Sequence, residues 1–325
     1  SVNLWTLKSW KLQAAPQVSA KAQQISSAGF DATDWYQTTT PGTVLTTLVD
    51  RGVYPDPDFG LNNMAIPESL NKQDYWYRTP FQVPAGFKPG QHLFVTFKGV
   101  NYEAEVWING RKLGGMKGAF VRGTFDISPY LKLKGENVIA VRVSPPPHPG
   151  VPQEESITAG AGENGGTLAQ DGPTFIASEG WDWIPSVRDR NTGLWQDVVL
   201  QATRDFKLGD AQVITALPQA DNSVADVSIE VPVSNLSKAA QRAIVRATIT
   251  RRDGGMKPIQ VSKTVSLAPG EQNVRFTPAD FAALKLKNPK LWWPNGYGAP
   301  DLHELKLEVM QGAQLSDQAS TRFGV

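Results

Sequence analysis

Apolar and polar residues alternate along much of this sequence with the two-residue period of β-strands, and that period limits the folds open to the chain. In the segment EAEVWINGRKLGG, Val106 and Ile108 share one face of a strand that leads into Asn109-Gly110. Asn-Gly between alternating strands is a strong hairpin signal, because both central residues of a type I′ turn need positive φ angles. The segment predicts two antiparallel strands.

Helical patterning is confined to one short segment, TVLTTLVDRG. Its apolar stripe comprises Val44, Leu45, Leu48 and Val49, and Gly52 is a stop signal. No stretch shows the alternation of strands and helices that a parallel barrel or a nucleotide-binding fold requires. The sequence therefore predicts an all-β protein with one short helix.

A change in composition near Arg204 predicts two domains. Eight of the ten tryptophans precede it, and short alternating strands separated by turn residues follow it. Such spacing suits an immunoglobulin-like sandwich, which has about seven strands in about 100 residues. We expect one β domain over residues 1–205 and an immunoglobulin-like domain over residues 206–325.

Charge and residue usage exclude several classes of function. The chain has 32 basic and 31 acidic residues and no cysteine, so neither nucleic acid nor a membrane surface is an expected partner, and disulfides and thiolate metal sites are impossible. No apolar run approaches about 18 residues, so no membrane span is predicted. The three histidines are far apart, and GAGENGG lacks the flanking strand and Lys-Ser/Thr of a phosphate loop. We therefore expect no metal and no cofactor.

A long loop over residues 145–178 leads into SEGWDWIPSVRDRNTGLWQ, where Asp182 lies between Trp181 and Trp183. Two interpretations fit this carboxylate. The indoles stack on the C–H faces of a sugar while Asp182 accepts hydrogen bonds from its hydroxyls. Alternatively, the indoles are core residues, and Asp182 caps a turn and pairs with Arg188 or Arg190.

Two other aromatic motifs have simpler interpretations. In YWYR, residues 75–78, alternation predicts that two aromatic side chains face the core and that the other two residues lie outside it. Trp292-Trp293, in WWPNG, is expected to close a turn and to pack against a neighbouring domain. Glu103 and Glu105 are expected to be solvated on one strand face, without a catalytic role.

The run EGWDWIPSVRDRNTGLWQDV resembles the signature that ends the N-terminal sugar-binding domain of glycoside hydrolase family 2, in its β-mannosidase, endo-β-mannosidase and exo-β-glucosaminidase branches. The RDRNTG form is most similar to the endo-β-mannosidase side. Other segments resemble the family in the same order: PGTVLTTLV, YPDPDFGLN, DYWYRTPF, VNYEAEVWINGRKLG, NPKLWWPNGYGAPDLHEL and RFGV.

This resemblance implies a galactose-binding-like jelly-roll sugar-binding sandwich followed by the immunoglobulin-like sandwich. It also implies that Asp182, Trp181 and Trp183 bind substrate as one wall of the glycone subsite. A hydrogen-bonded network would support that wall; its members are Arg188, Asp189, Arg190 and Asn191.

The implied parent protein is a retaining β-glycosidase, periplasmic or secreted once its signal is removed. It would act on a β-linked oligosaccharide or an N-glycan-type substrate, most readily a β-mannoside. Its two catalytic glutamates are expected on a TIM barrel after residue 325, so the chain alone is expected to be inactive and to contain no catalytic residue. An exo-β-D-glucosaminidase parent and a free-standing carbohydrate-binding module remain alternatives.

Overall fold

The protein, represented by a computed structural model, is described over residues 4–150, 169–175 and 187–325. It contains two compact units. Over the described residues, the N-terminal unit comprises residues 4–87 and Leu93–Gln201, and the C-terminal unit comprises Lys88–His92 and Ala202–Val325. Both consist of β-sheets, which confirms the all-β prediction. None of the described helices is long and apolar enough to cross a membrane. Whether the two units fold independently stays a prediction.

Over its described residues, the N-terminal unit is built from two sheets, three short α-helices and three single-turn 3-10 helices, Ala15–Gln17, Glu68–Asn71 and Ser128–Tyr130. Its strands are β1 (Leu4–Thr6), β2 (Ser9–Ala14), β3 (Tyr36–Thr39), β4 (Tyr75–Phe81), β5 (His92–Phe97), β6 (Glu103–Ile108), β7 (Arg111–Lys117), β8 (Gly123–Asp126), β9 (Asn137–Ser144) and β10 (Val198–Thr203). The α-helices are α1 (Ala22–Ile25), α2 (Val44–Asp50) and α3 (Asn62–Ala65). The strand orders are β3-β2-β4-β9-β6-β7 and β1-β10-β5-β8.

The predicted hairpin joins β6 and β7. Asn109 has a φ of 46° and Gly110 a φ of 80°, as a type I′ turn requires. Helix α2 is also confirmed. Thr43 and Thr46 form a reciprocal capping box at its start, and Gly52, with a φ of 74°, follows its end.

The alternation predicted for β4 is wrong, because all four residues of Tyr75–Arg78 are buried. Strand β4 lies inside the six-stranded sheet, and the chain before β3 folds back over the outer face of that sheet. Trp76 packs there in an apolar cluster with Ile25 and Trp35. The Arg78 guanidinium donates to the Ile25 carbonyl over 2.8 Å. Both faces of the strand are therefore covered.

The C-terminal unit is a sandwich of two antiparallel sheets. Its strands are β11 (Phe206–Leu208), β12 (Gln212–Ala216), β13 (Val224–Asn235), β14 (Gln241–Arg251), β15 (Ile259–Leu267), β16 (Gly270–Phe276), β17 (Lys285–Lys287), β18 (His303–Gln311) and β19 (Gln314–Phe323). One sheet forms around β13, which pairs with β11, β12, β16 and β17, and the other has the order β15-β14-β18-β19.

Alternate residues of β13, β14 and β18 fill one core between these sheets, among them Ile229, Val245 and Leu307. This arrangement confirms the immunoglobulin-like prediction. Trp292 and Trp293 are 46% and 43% exposed, and the backbone N–H of Trp292 donates to the Val325 carbonyl. Their role against a neighbouring domain stays a prediction.

His303, the first residue of β18, is a buried titratable group. It is 1% exposed and stacks on Phe323 with ring centroids 5.3 Å apart. Its Nδ1 has no hydrogen-bond partner among the described residues. Burial and then the charge of Arg251 lower the pKa of His303 below its ordinary value of 6.5. The folded unit therefore holds the neutral imidazole.

This burial predicts an acid-sensitive stability. In the unfolded chain His303 binds a proton as the pH falls through 6.5, whereas the folded chain resists protonation to lower pH. Acidification below that value is therefore expected to decrease the free energy of unfolding. Urea unfolding from about pH 7.5 to about pH 5 should show a steeper loss in the wild type than in His303→Gln. Equal slopes would contradict the assignment.

Candidate functional site

The three residues predicted to bind substrate, Trp181, Asp182 and Trp183, lie outside the described residues. The structure describes the chain that follows them, from Val187 onward, and it places all four predicted supporting residues there. Arg188, Asp189 and Arg190 are buried, and Asn191 is partly buried.

Arg188 and Arg190 share one carboxylate, that of Glu68. Arg188 Nη1 lies 3.1 Å from Glu68 Oε1, and Arg190 Nη2 lies 2.7 Å from Glu68 Oε2. The two arginine side chains are 0% and 2% exposed, and the glutamate side chain is 12% exposed. Asn71 donates to the same Oε2 over 2.7 Å. We call these four residues the Glu68 clamp.

The clamp keeps Glu68 ionised. Burial alone would raise the pKa of Glu68, but the hydrogen bond and charge of Arg190, the Asn71 hydrogen bond and the charge of Arg188 together lower this pKa below 4.5. Charge-assisted hydrogen bonds in a water-poor setting are stronger than neutral ones. Removal of the carboxylate would leave both guanidinium groups without this partner in the interior.

Arg188 also fixes the short helix α3. Its Nε donates to the carbonyls of Asn63 and Ile66, each over 3.1 Å, at the C-terminal end of that helix. Carbonyls at a helix end lack intrahelical partners and attract cations. One side chain thus connects α3 to the segment that follows the predicted substrate wall.

Asp189 caps helix α2 from a distant part of the sequence. Its Oδ2 accepts from the Leu45 N–H over 2.7 Å, its Oδ1 accepts from the Asn191 N–H over 2.9 Å, and the Thr192 carbonyl accepts from the Val44 N–H. Burial raises the pKa of Asp189, and the hydrogen bonds from Leu45 and Asn191 oppose that shift. The loop therefore satisfies the first N–H groups of α2.

Arg190 and Asn191 form a left-handed turn, with φ angles of 53° and 58°. Such angles are unfavourable for residues other than glycine unless the surroundings hold them. Asn101, fully buried, supplies that support: its Nδ2 donates to the Arg190 and Asn191 carbonyls over 2.9 and 3.2 Å. Its Oδ1 accepts from Thr174 Oγ1 over 3.0 Å. Asn101 thereby joins residue 174 to residues 190–191.

Gly193 ends the loop where no side chain fits. A Cβ at this position would lie 2.7 Å from the Tyr77 hydroxyl and 2.9 Å from the Thr43 Cα. The backbone of Gly193 exchanges two hydrogen bonds with Asn101, of 3.0 and 2.9 Å. Glycine is therefore required at the last position of the NTG part of the motif, because any side chain there would collide with Tyr77 and Thr43.

The third tryptophan of the motif belongs to a partly exposed aromatic cluster. Trp195 packs edge-to-face with Phe120 and Phe175, with ring centroids 5.7 and 5.0 Å away, and its Nε1 donates to the Ala119 carbonyl. Phe120 is 54% and Phe175 39% exposed. An aromatic surface therefore exists at residue 175, directly before the part of the chain that contains the predicted wall.

Glu103 and Glu105, the acidic pair that the sequence places on one strand face, are each paired with a lysine. Glu105 is bonded to Lys112, and Glu103 lies 2.8 Å from Lys117, so both glutamates are neutralised on the outer face of the sheet. Over residues 4–150, 169–175 and 187–325 no group of three or more His, Cys, Asp and Glu side chains is placed to hold a metal ion.

Sequence reasoning missed Glu68, Asn71 and Asn101. Glu68 precedes Arg188 by 120 residues, and nothing in its local pattern distinguishes it from a solvated glutamate. Asn101 lies inside the VNYEAEVWINGRKLG segment, but no periodicity indicates that this asparagine is buried and bonded to a distant loop. The only available signal was the need of Arg188 and Arg190 for an acidic partner.

Comparison with known proteins adds the family context. A family model described as a glycosyl hydrolase 2 galactose-binding domain-like domain matches residues 10–196, and one described as glycosyl hydrolases family 2 matches residues 207–325. A mannosylglycoprotein endo-beta-mannosidase from Lilium longiflorum is 32% identical over 89% of this chain and 30% of its own length. An exo-beta-D-glucosaminidase from Streptomyces avermitilis is 29% identical over 98% of this chain and 32% of its own length.

Solved structures agree with these sequence matches. The exo-chitosanase of Amycolatopsis orientalis superposes with a TM-score of 0.77 at 27% identity, over 99% of this chain and 34% of that one. A beta-D-mannosidase from Dictyoglomus thermophilum, at 24% identity and a TM-score of 0.71, shares the fold over 99% of this chain and 36% of that one. The chain thus spans about a third of the length of its relatives.

The Glu68 clamp predicts a large stability effect. Glu68→Ala is expected to destabilise the N-terminal unit by about 3–5 kcal/mol, because two buried guanidinium groups lose their carboxylate. Glu103→Ala, which removes an exposed glutamate from Lys117, is the matched control and should unfold at nearly the wild-type urea concentration. Chemical denaturation of both variants measures the difference. Equal midpoints would show that the clamp contributes little to folding.

Proposed function

Because the chain belongs to glycoside hydrolase family 2, we propose that it is the N-terminal part of a retaining β-glycosidase that acts on β-mannosides, as a β-mannosidase or an endo-β-mannosidase. The RDRNTG form of its motif and the similarity to the lily endo-beta-mannosidase favour that substrate. An exo-β-D-glucosaminidase parent is the second candidate, favoured by the likeness to the exo-chitosanase structure. A free-standing carbohydrate-binding module is the third.

In this proposal Trp181, Asp182 and Trp183 form one wall of the glycone subsite. Two indoles offer flat apolar surfaces to the C–H faces of a sugar ring, and the carboxylate between them accepts hydrogen bonds from two hydroxyls. A protein site of this kind needs rigid support, because small displacements weaken recognition.

The observation that carries the proposal is the buried hydrogen-bond and ion-pair network of the chain that follows these three residues in the sequence. Arg188 follows Asp182 closely in the sequence, and from Arg188 onward the chain is held by the Glu68 clamp, by the cap on α2 and by Asn101. Asn101 also holds Thr174, before the wall. Buried polar networks are costly unless fully satisfied, so this concentration of them at one loop favours a positioning role.

We propose that hydrolysis of the glycosidic bond takes place in another part of the protein. Retaining glycosidases use two carboxyl groups about 5 Å apart, one a general acid of raised pKa and the other a nucleophile. We place both on a TIM barrel that follows residue 325. The two units of this chain would then supply the wall and brace the barrel.

Asp182→Ala in the full-length enzyme tests the wall. We expect kcat/KM on a β-mannoside to fall about ten- to a hundredfold, because charge-assisted hydrogen bonds to substrate are lost, while the melting temperature stays near the wild-type value. Asp189→Ala is the matched control, and its buried carboxylate caps α2, so it should lower the melting temperature. If Asp182→Ala also lowers the melting temperature sharply, or keeps activity within about twofold, Asp182 is a scaffold residue.

The assignment of the chemistry is tested with aryl glycosides. The 325-residue chain should hydrolyse neither an aryl β-mannoside nor an aryl β-glucosaminide, and the full-length protein should prefer the mannoside. Initial rates measured beside a mock purification from the same host control for contaminating glycosidases. Turnover by the purified chain would contradict the placement of the carboxyl pair. A preference for the glucosaminide would favour the second candidate.

A further inference from the structure

Two Asn-Gly pairs of the described chain have contrasting surroundings. Asn109-Gly110 forms the turn between β6 and β7, and Asn295-Gly296 lies in the WWPNGYG segment between β17 and β18. A third pair, which begins at Asn164, lies outside the described residues. Glycine has no Cβ, so its backbone nitrogen can approach the side-chain amide of a preceding asparagine closely. Such a pair can react with itself wherever the fold leaves both groups free.

The side chain of Asn109 is held by three hydrogen bonds. Its Nδ2 donates to the Tyr130 carbonyl and to Asn137 Oδ1, each over 2.8 Å, and its Oδ1 accepts from the Val138 N–H over 3.0 Å. The backbone N–H of Asn109 donates to the Val138 carbonyl over 3.1 Å. This side-chain amide therefore cannot turn toward its own main chain without losing partners.

The nitrogen of Gly110 is engaged as well. Its N–H donates to the carbonyl and to the hydroxyl of Ser26, each over 3.2 Å. Both groups that would have to react at the β6–β7 turn are thus bonded elsewhere. The fold protects Asn109.

The second pair lies in a type II turn formed by residues 294–297. The Tyr297 N–H donates to the Pro294 carbonyl over 3.0 Å, and Gly296, the third residue, has a φ of 87°, as this turn type requires. Asn295 is the second residue. We call residues 294–297 the Asn295 turn.

The reacting groups of the Asn295 turn lie at an exposed loop tip. Residues 292–300 are all exposed, and Tyr297 is 79% exposed. Over the described residues, neither the Asn295 side chain nor the Gly296 N–H has a hydrogen-bond partner. The Trp293 N–H, which donates to the Ala299 carbonyl over 3.0 Å, closes the loop at its base. Exposed segments with few hydrogen bonds change conformation at little cost in free energy.

The reaction open to this pair is an intramolecular acyl transfer. Solvent base removes the proton of the Gly296 N–H, and the nitrogen attacks Asn295 Cγ. The N–Cγ bond forms, the Cγ–Nδ2 bond breaks, and the amide nitrogen takes protons from water and leaves as ammonia. Water then opens the cyclic imide at either carbonyl, which gives aspartate or isoaspartate. The sum is one water consumed and one ammonia released, and proximity within the chain replaces a catalyst.

We propose that Asn295 is a site of spontaneous covalent modification, at which the folded chain converts asparagine to aspartate or isoaspartate while Asn109 persists. Either product places a carboxylate in the loop that contains Trp292 and Trp293, and isoaspartate also adds a methylene group to the main chain. The proposal goes beyond the proposed function without resting on it.

Incubation of the 325-residue chain in mildly alkaline buffer, followed by tryptic digestion and mass spectrometry, tests the proposal. Residues 99–111, 143–188 and 291–306 are the tryptic peptides that contain Asn109, Asn164 and Asn295, so each site is read separately. In the native chain Asn295 should convert at least about tenfold faster than Asn109, because Asn109 must first lose its hydrogen bonds. Enzymatic carboxyl methylation identifies the isoaspartate.

The same incubation in urea is the matched control, because unfolding removes the difference in surroundings and leaves the Asn-Gly pairs. Asn109 and Asn295 should then convert at rates within about threefold of each other. Asn295→Gln should stop conversion in peptide 291–306 and leave peptide 99–111 unchanged, since attack on glutamine requires a larger ring. Circular dichroism before and after the native incubation checks that the chain stays folded.

Three results would overturn the proposal. In the first, Asn295 stays intact in the native chain for as long as it takes to convert in urea. In the second, the folded chain converts Asn109 as fast as Asn295, or faster. In the third, peptide 291–306 of Asn295→Gln gains isoaspartate at the wild-type rate.

Discussion

The arrangement around the candidate site depends on one mostly buried carboxylate, Glu68, that neutralises two buried guanidinium groups. Transfer of arginine side chains out of water is costly, and a single acidic partner between them makes it tolerable. Because that partner comes from the chain after α3 and the arginines come from the segment before β10, the ion pairs fix two distant parts of the sequence against each other.

The same loop and helix α2 depend on each other. The helix needs acceptors for its first N–H groups, and the loop supplies them through Asp189 and the Thr192 carbonyl. The loop in turn contains two left-handed residues that Asn101 stabilises through their carbonyls. A side chain in this region therefore has little freedom to move alone, which is the condition for a binding wall to be held in place.

Sequence patterns were sufficient for the elements whose cause is local. The α2 capping box, the Asn-Gly hairpin and the alternating strands of the C-terminal sandwich all follow from neighbouring residues. Patterns failed where the cause was distant. The burial of Tyr75–Arg78 on both faces required the fold-back of the chain before β3, and the partner of Arg188 lay 120 residues away. The predicted wall itself came from the family resemblance, and its geometry stays a prediction.

The hydrogen bonds of Asn101 have a consequence for how the chain between residues 174 and 190 can evolve. One buried amide joins residue 174 to residues 190–191, so the ends of the intervening chain are set by the scaffold. The entropy of closing a loop grows only slowly with length, by about 0.6 kcal/mol for each doubling. By that rule a change in the number of residues between these two attachments costs the fold little, whereas Arg188 and Asp189, which also lie between them, are fixed by buried partners and tolerate little change.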